Sequence, residues 1–77
     1  MDRAATLAEA HETIAHLEFG LRSSRRIGMA VGIVMARYGV GEHEAFARLV
    51  RSSQRNHRKL REIAEDVILV GDVPDHA

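Results

Sequence analysis

The sequence contains no cysteine, no tryptophan and a single proline, Pro74, and its aromatic residues are limited to Phe19, Tyr38 and Phe46. Each scarcity closes off a class of answer. Without cysteine, neither a disulfide framework nor a thiolate metal site can compensate for the small core that 77 residues are able to build. Association with a second copy is therefore the expected support, and a homodimer follows from size alone. No apolar run approaches the roughly 20 residues needed to cross a bilayer, and the N-terminus lacks the basic-then-apolar pattern of a secretory signal. A cytoplasmic protein with no membrane partner is expected.

Constellations for catalysis are equally sparse. His11 and His16 are five apart, off the i, i+4 spacing of a helical metal pair, and His43 and His57 are isolated. Glu9 with Glu12, and Glu62 with Glu65 and Asp66, have the spacing of exposed helix faces rather than of a general acid–base pair. The expectation is no enzyme, no catalytic residue, no metal, no cofactor and no small-molecule substrate.

What the chain does have is charge, sorted along its length. Eleven basic and eleven acidic residues cancel to a formal net charge of zero. In residues 1–20, Arg3 stands against Asp2, Glu9, Glu12 and Glu18. From Leu21 to Arg61 the balance reverses: Arg22, Arg25, Arg26, Arg37, Arg48, Arg51, Arg55, Arg58, Lys59 and Arg61 face only Glu42 and Glu44, a net of +8. Glu62, Glu65, Asp66, Asp72 and Asp75 then make the C-terminal segment acidic. A neutral total thus conceals a basic middle able to meet a polyanion.

Periodicity supplies an all-α fold: a long N-terminal coiled-coil helix leading into a three-helix bundle. Leu7, Ala10, Ile14, Leu17 and Leu21 step by 3, 4, 3 and 4 residues, a heptad seam suited to dimerisation over residues 1–21. The seam covers little more than two heptads and contains Gly20, so it needs help from the domain that follows. Beyond Ser24 the apolar face widens to Ile27, Ala30, Val31, Val34, Met35 and Tyr38, where the helix joins a globular core. Gly28 and Gly32 each cost about 1 kcal/mol of helix propensity, and close approach of a neighbouring helix is the expected reason for them. Gly39 suits a left-handed helix end and Gly41 the next N-cap, so a second helix starts at Glu42 with Ala45, Phe46, Leu49 and Val50 as its apolar stripe. This helix is expected to end near Gln54 or Arg55, with Asn56 capping a third helix that buries Leu60, Ile63, Ala64, Val67 and Ile68. The domain spans residues 22–70, and residues 71–77 are expected to form a disordered tail.

The short glycine-rich connection makes the first two bundle helices antiparallel, which sets the start of the third beside Arg25 and Arg26. Arg25, Arg26, Arg51, Arg55, Arg58 and Lys59 are then expected at one end of the bundle. Asn56, His57, Arg58 and Lys59 would place cations in the first turn of a helix, against its dipole, an arrangement that makes sense where an anion such as phosphate is held.

Ser24-Arg25-Arg26-Ile27-Gly28-Met29-Ala30-Val31-Gly32-Ile33-Val34-Met35, then Glu44-Ala45-Phe46 with Leu49, then Asn56-His57-Arg58-Lys59-Leu60 with Ile63-Ala64-Glu65 together resemble the ANTAR family of bacterial RNA-binding antitermination modules. The resemblance runs from about Leu21 to Val67. It implies a three-helix bundle behind a dimerising helix, which recognises paired RNA stem-loops with hexanucleotide loops and so keeps a transcription terminator from forming. It also implies that Ala30, Ala45, Phe46 and Ala64 pack the bundle, and that Arg25, Arg26, Arg51, Ser53, Gln54, Asn56, Arg58 and Lys59 lie on the RNA-facing side, with Arg55 and His57 in the same run. Many members carry lysine where this chain has Val31, so no phosphate contact is expected from that position. Members also often follow a receiver or other sensory domain, which leaves open whether this module stands alone or belongs to a longer regulator.

In such an interface Arg and Lys would neutralise phosphates, while Ser53, Gln54 and Asn56 could hydrogen-bond unstacked loop bases. Three aromatics are too few for a broad stacking platform. Two other readings fit the residues: a helix-turn-helix-like DNA-binding regulator, since short Arg-rich helices joined by tight turns serve both, and a non-catalytic dimerisation module whose basic face meets an acidic protein.

Overall fold

The computed structural model describes the backbone of residues 3–74 and the side chains of residues 20–74. Three helices, α1 (Arg3–Tyr38), α2 (Glu42–Asn56) and α3 (Leu60–Val70), form an all-helical bundle with no strand among the described residues. Of the dimerisation seam, Leu7, Ala10, Ile14 and Leu17 fall outside the described side chains, and Leu21 is 61% exposed.

The turns explain how one chain makes the bundle. Gly39 takes a left-handed φ of 63°, and its N–H reaches the Met35 carbonyl at 2.9 Å, closing α1 as a residue without Cβ does most cheaply. Gly41, extended at φ −78°, is the N-cap of α2, whose first turn carries Glu42 and Glu44. The next junction differs from the sequence expectation. Asn56 does not cap α3; it is the last residue of α2, and its side-chain N–H donates backwards to the Ser52 carbonyl at 2.8 Å. His57 adopts the left-handed conformation at φ 52°, with its N–H on the Gln54 carbonyl and the Arg58 N–H on the Ser53 carbonyl, the paired bonds of a Schellman ending. Lys59 is the N-cap of α3. Arg58 and Lys59 therefore precede the helix, and its first turn holds Glu62, the charge its dipole favours. That turn is mixed, with Arg61 beside Glu62, rather than the run of cations expected from Asn56–Lys59.

The core is built from Ala30, Val34, Ala45, Leu49, Ile63, Ala64 and Val67, all fully buried, with Ile27 and Leu60 packed against it. Burying three alanines lets the three helices approach closely, and Val31 joins the core as well. Phe46, placed in the core by sequence and by the resemblance, is 43% exposed. The buried stripe of α2 is Ala45, Leu49 and Ser52, and a residue one step along an α-helix points about 100° away from such a stripe. Gly28 and Gly32 are exposed, and a Cβ at either would meet nothing within 4 Å, so no helix of the same chain crowds them.

Residues 71–74 after α3 pack against the bundle, and the rest of the expected tail, residues 75–77, lies outside the described residues. Gly71 ends the helix at φ 92°, and Asp72 and Val73, which the sequence assigns to a disordered tail, are buried at 5% and 6% exposure. Asp72 Oδ1 accepts the Tyr38 hydroxyl at 2.5 Å and the Val73 N–H at 2.8 Å, and Arg37 Nε lies 3.0 Å from Oδ2. This carboxylate ties the strap 71–74 to the end of α1. Together with the Arg26–Glu65 contact it also shows that α1 and α3 run parallel.

Candidate nucleic-acid interface

Because α1 and α3 are parallel, α3 starts at the level of Arg22 and Arg26, as the chain geometry predicts. A groove lined by Arg22, Ser23, Arg26, Arg61, Glu62 and Glu65 separates the two helices there. The expected cations do not line a single recess, however. Arg51 and Arg55 line a different recess on α2, with Arg48 and with Val73 of the strap.

Two of these cations are also engaged with the acidic C-terminal segment. Arg26 donates to both carboxylate oxygens of Glu65, from Nε and Nη2, each at 2.8 Å. This pairing holds the Glu65 carboxyl below the usual carboxylate range and raises the Arg26 guanidinium. Arg58 bonds Asp66 through Nη1 and, at 3.3 Å, through Nη2, and lies 3.6 Å from Glu62; its pKa is raised, chiefly by Asp66. Charges segregated along the chain are thus interleaved in space, since folding lays the acidic face of α3 between Arg26 of α1 and Arg58 of the turn. Pairs this accessible to solvent add little to stability and leave the guanidinium ready to exchange partners.

The remaining predicted residues lie in one continuous stretch. Gln54, Arg55, Asn56, His57 and Lys59 are exposed on the last turn of α2 and the turn that follows, and Ser53 and Arg58 are half-buried. Two of them hold this turn in shape: the Ser53 hydroxyl donates to the Arg58 carbonyl at 2.5 Å, and the Asn56 amide is bonded to Ser52. Polar groups chosen from sequence as base-reading candidates therefore do local structural work. Arg25 is exposed on α1.

Sequence reasoning passed over three arginines. Arg22 and Arg61 face the groove with Arg26, and Arg22 could have been found from its i, i+4 spacing to Arg26. Arg48 lies with its guanidinium 4.4 Å from the centroid of the Tyr38 ring and its Nε 3.0 Å from Glu44. The i, i+3, i+7 spacing of Arg48, Arg51 and Arg55 was the available signal. Among the described residues, no group of three or more His, Cys, Asp or Glu side chains is placed to hold a metal ion, and no helix is long and apolar enough to cross a membrane.

Fold and surface together define a small all-helical module whose exposed turn and helix faces are rich in arginine. The ANTAR domain family matches residues 15–68, more than two thirds of the chain, and the chain belongs to that family. ANTAR domains are regulatory RNA-binding antitermination modules, not enzymes, and the family implies an RNA partner. No curated protein and no solved structure matches the chain.

Proposed function

We propose that this chain is a cytoplasmic antitermination regulator that binds paired RNA stem-loops with hexanucleotide loops and, by stabilising them, prevents a terminator from forming. Residues 1–21 act as a dimerising coiled coil through Leu7, Ala10, Ile14, Leu17 and Leu21, and residues 22–70 act as the RNA-binding domain. The reading is carried by one observation: Gln54–Lys59 is an exposed, internally hydrogen-bonded turn that presents Arg55, His57 and Lys59 outward from a rigid bundle. A surface fixed before binding loses little entropy on association, which favours a folded hairpin as its target.

In this scheme Arg51, Arg55, Arg58 and Lys59 neutralise phosphates, with Arg25 and Arg26 adding contacts from α1. Gln54 and His57 face unstacked loop bases, while Ser53 and Asn56 keep the turn in shape. Two such surfaces in a dimer engage two hairpins at once, and the second contact gains from effective concentration. The test compares a tandem hexaloop RNA, a single hairpin and duplex DNA of matched length at fixed salt. Preference for the tandem RNA, lost in Arg58→Ala/Lys59→Ala while sedimentation still reports a dimer, is the expected result. Equal affinity for all three nucleic acids sinks the proposal.

A further inference from the structure

Arg48, Arg51 and Arg55 project from one side of α2 and share a recess of about 120 Å³ that Val73 closes at one wall. That volume is a few water molecules, far below the roughly 300–1,000 Å³ of pockets that enclose small-molecule ligands, and it suits one tetrahedral oxyanion. Two of the guanidiniums share one carboxylate: Arg48 Nε and Arg51 Nη2 lie 3.0 and 3.1 Å from the same oxygen of Glu44. The three-membered group keeps a net positive charge. Arg48 is also fixed by the Tyr38 ring, so its guanidinium is oriented before any ligand arrives. At about 1.5 Å per residue the row extends some 10 Å along the helix, and Arg55 at its end adjoins the turn Gln54–Lys59.

We infer that Arg48 and Arg51, with Arg55, form a phosphate-binding row along α2 that grips the backbone of the RNA stem whose loop meets the turn; this rests on the RNA-binding reading above. Arg48 is the new member of the interface, a residue that contacts phosphate directly. Its planar, aromatic-stacked guanidinium offers two parallel donors to a phosphate, a geometry lysine does not reproduce.

The experiment measures binding of a tandem hexaloop RNA across a salt series for the wild-type chain, Arg48→Gln, Arg51→Gln and Arg48→Lys, with Arg3→Gln as a control that removes an equal charge outside the RNA-binding domain. Each Gln variant of the row is expected to lower the slope of log affinity against log salt by about 0.7–0.9, the signature of one lost phosphate contact. Arg48→Lys should keep the slope and lose affinity, and Arg3→Gln should leave both near wild type. Thermal melts of every variant establish that the bundle is intact, and Arg51→Gln, which removes a half-exposed side chain, carries the test if Arg48→Gln does not fold. A wild-type slope in the Gln variants overturns the inference and leaves the RNA-binding reading standing. Failure of the wild-type chain to bind any hairpin overturns both.

Discussion

Val73 provides the sharpest test of how this bundle is held together, because it lies beyond the last helix yet is only 6% exposed. Val73→Ala removes two methyl groups from a packed site. At about 0.8 kcal/mol for each buried carbon the transfer loss is about 1.6 kcal/mol, and incomplete collapse around the cavity brings the total to about 2 kcal/mol. For a domain of this size 1 kcal/mol moves the melting temperature by about 4–8 °C, so the midpoint should fall by about 8–16 °C. Leu69→Ala is the matching control: Leu69 is helical but 84% exposed, and its loss should change stability by less than about 0.5 kcal/mol. The assays are a thermal melt and a urea denaturation, both followed by helical circular dichroism at one fixed chain concentration because association shifts apparent stability. The slope with urea should stay constant while the midpoint moves. A Val73→Ala loss no larger than that of Leu69→Ala would refute the claim that the strap is part of the core.

Further outcomes follow from the same contacts. Gly28→Ala should stabilise the isolated chain by about 1 kcal/mol, since the site is helical and open; a loss of stability, read by the same denaturation, would mean that another helix presses on it. Acidification should destabilise the fold through Glu65 and Glu44, whose folded pKa values are depressed by Arg26 and by Arg48 and then Arg51. A depressed carboxylate contributes stability that is present above its ordinary value of 4.5 and lost as pH falls through the folded value. NMR titration should find Glu65 back near its ordinary range in Arg26→Gln; an unmoved titration would remove Arg26 as the cause. His57→Gly should be neutral to mildly stabilising in a thermal melt, because relief of a left-handed φ at a β-carbon-bearing residue offsets the added freedom of the unfolded chain.

Periodicity was enough to read the helices and most of the core. Ala30, Val34, Leu49, Ile63, Ala64 and Val67 recur at helical spacing and all are fully buried. What escaped was decided by contacts between distant residues. Val73 follows a proper helix stop and precedes a proline, which is the local grammar of a tail; only the tie from Asp72 to Tyr38, 34 positions away, turns it inward. Phe46 reads as core because large aromatic residues usually are, yet the stripe of α2 passes through the small residues Ala45 and Ser52 instead. Asn56 has the chemistry of a cap for the following helix, and the Ser52 carbonyl one turn behind it competed successfully for its amide.

The candidate interface was legible as composition, but its ion pairs were not. Counting charge along the chain treats the basic middle and the acidic end as separate objects, but Glu65 and Asp66 lie on the same helix that the basic turn leads into, and they meet Arg26 and Arg58. The consequence reaches the proposed interface. A phosphate approaching Arg58 must displace or share Asp66, a partner with a similar charge and two oxygens, so that arginine contributes less net affinity than its exposure suggests. The pair Arg48 and Arg51 already divides one carboxylate between two cations, so a phosphate there adds a counter-ion without evicting one. If RNA is the ligand, substitutions on α2 should therefore weaken binding more than Arg58→Gln does, the reverse of the order that proximity to the loop-facing turn alone would give; comparing the three variants on one hairpin decides between charge balance and position.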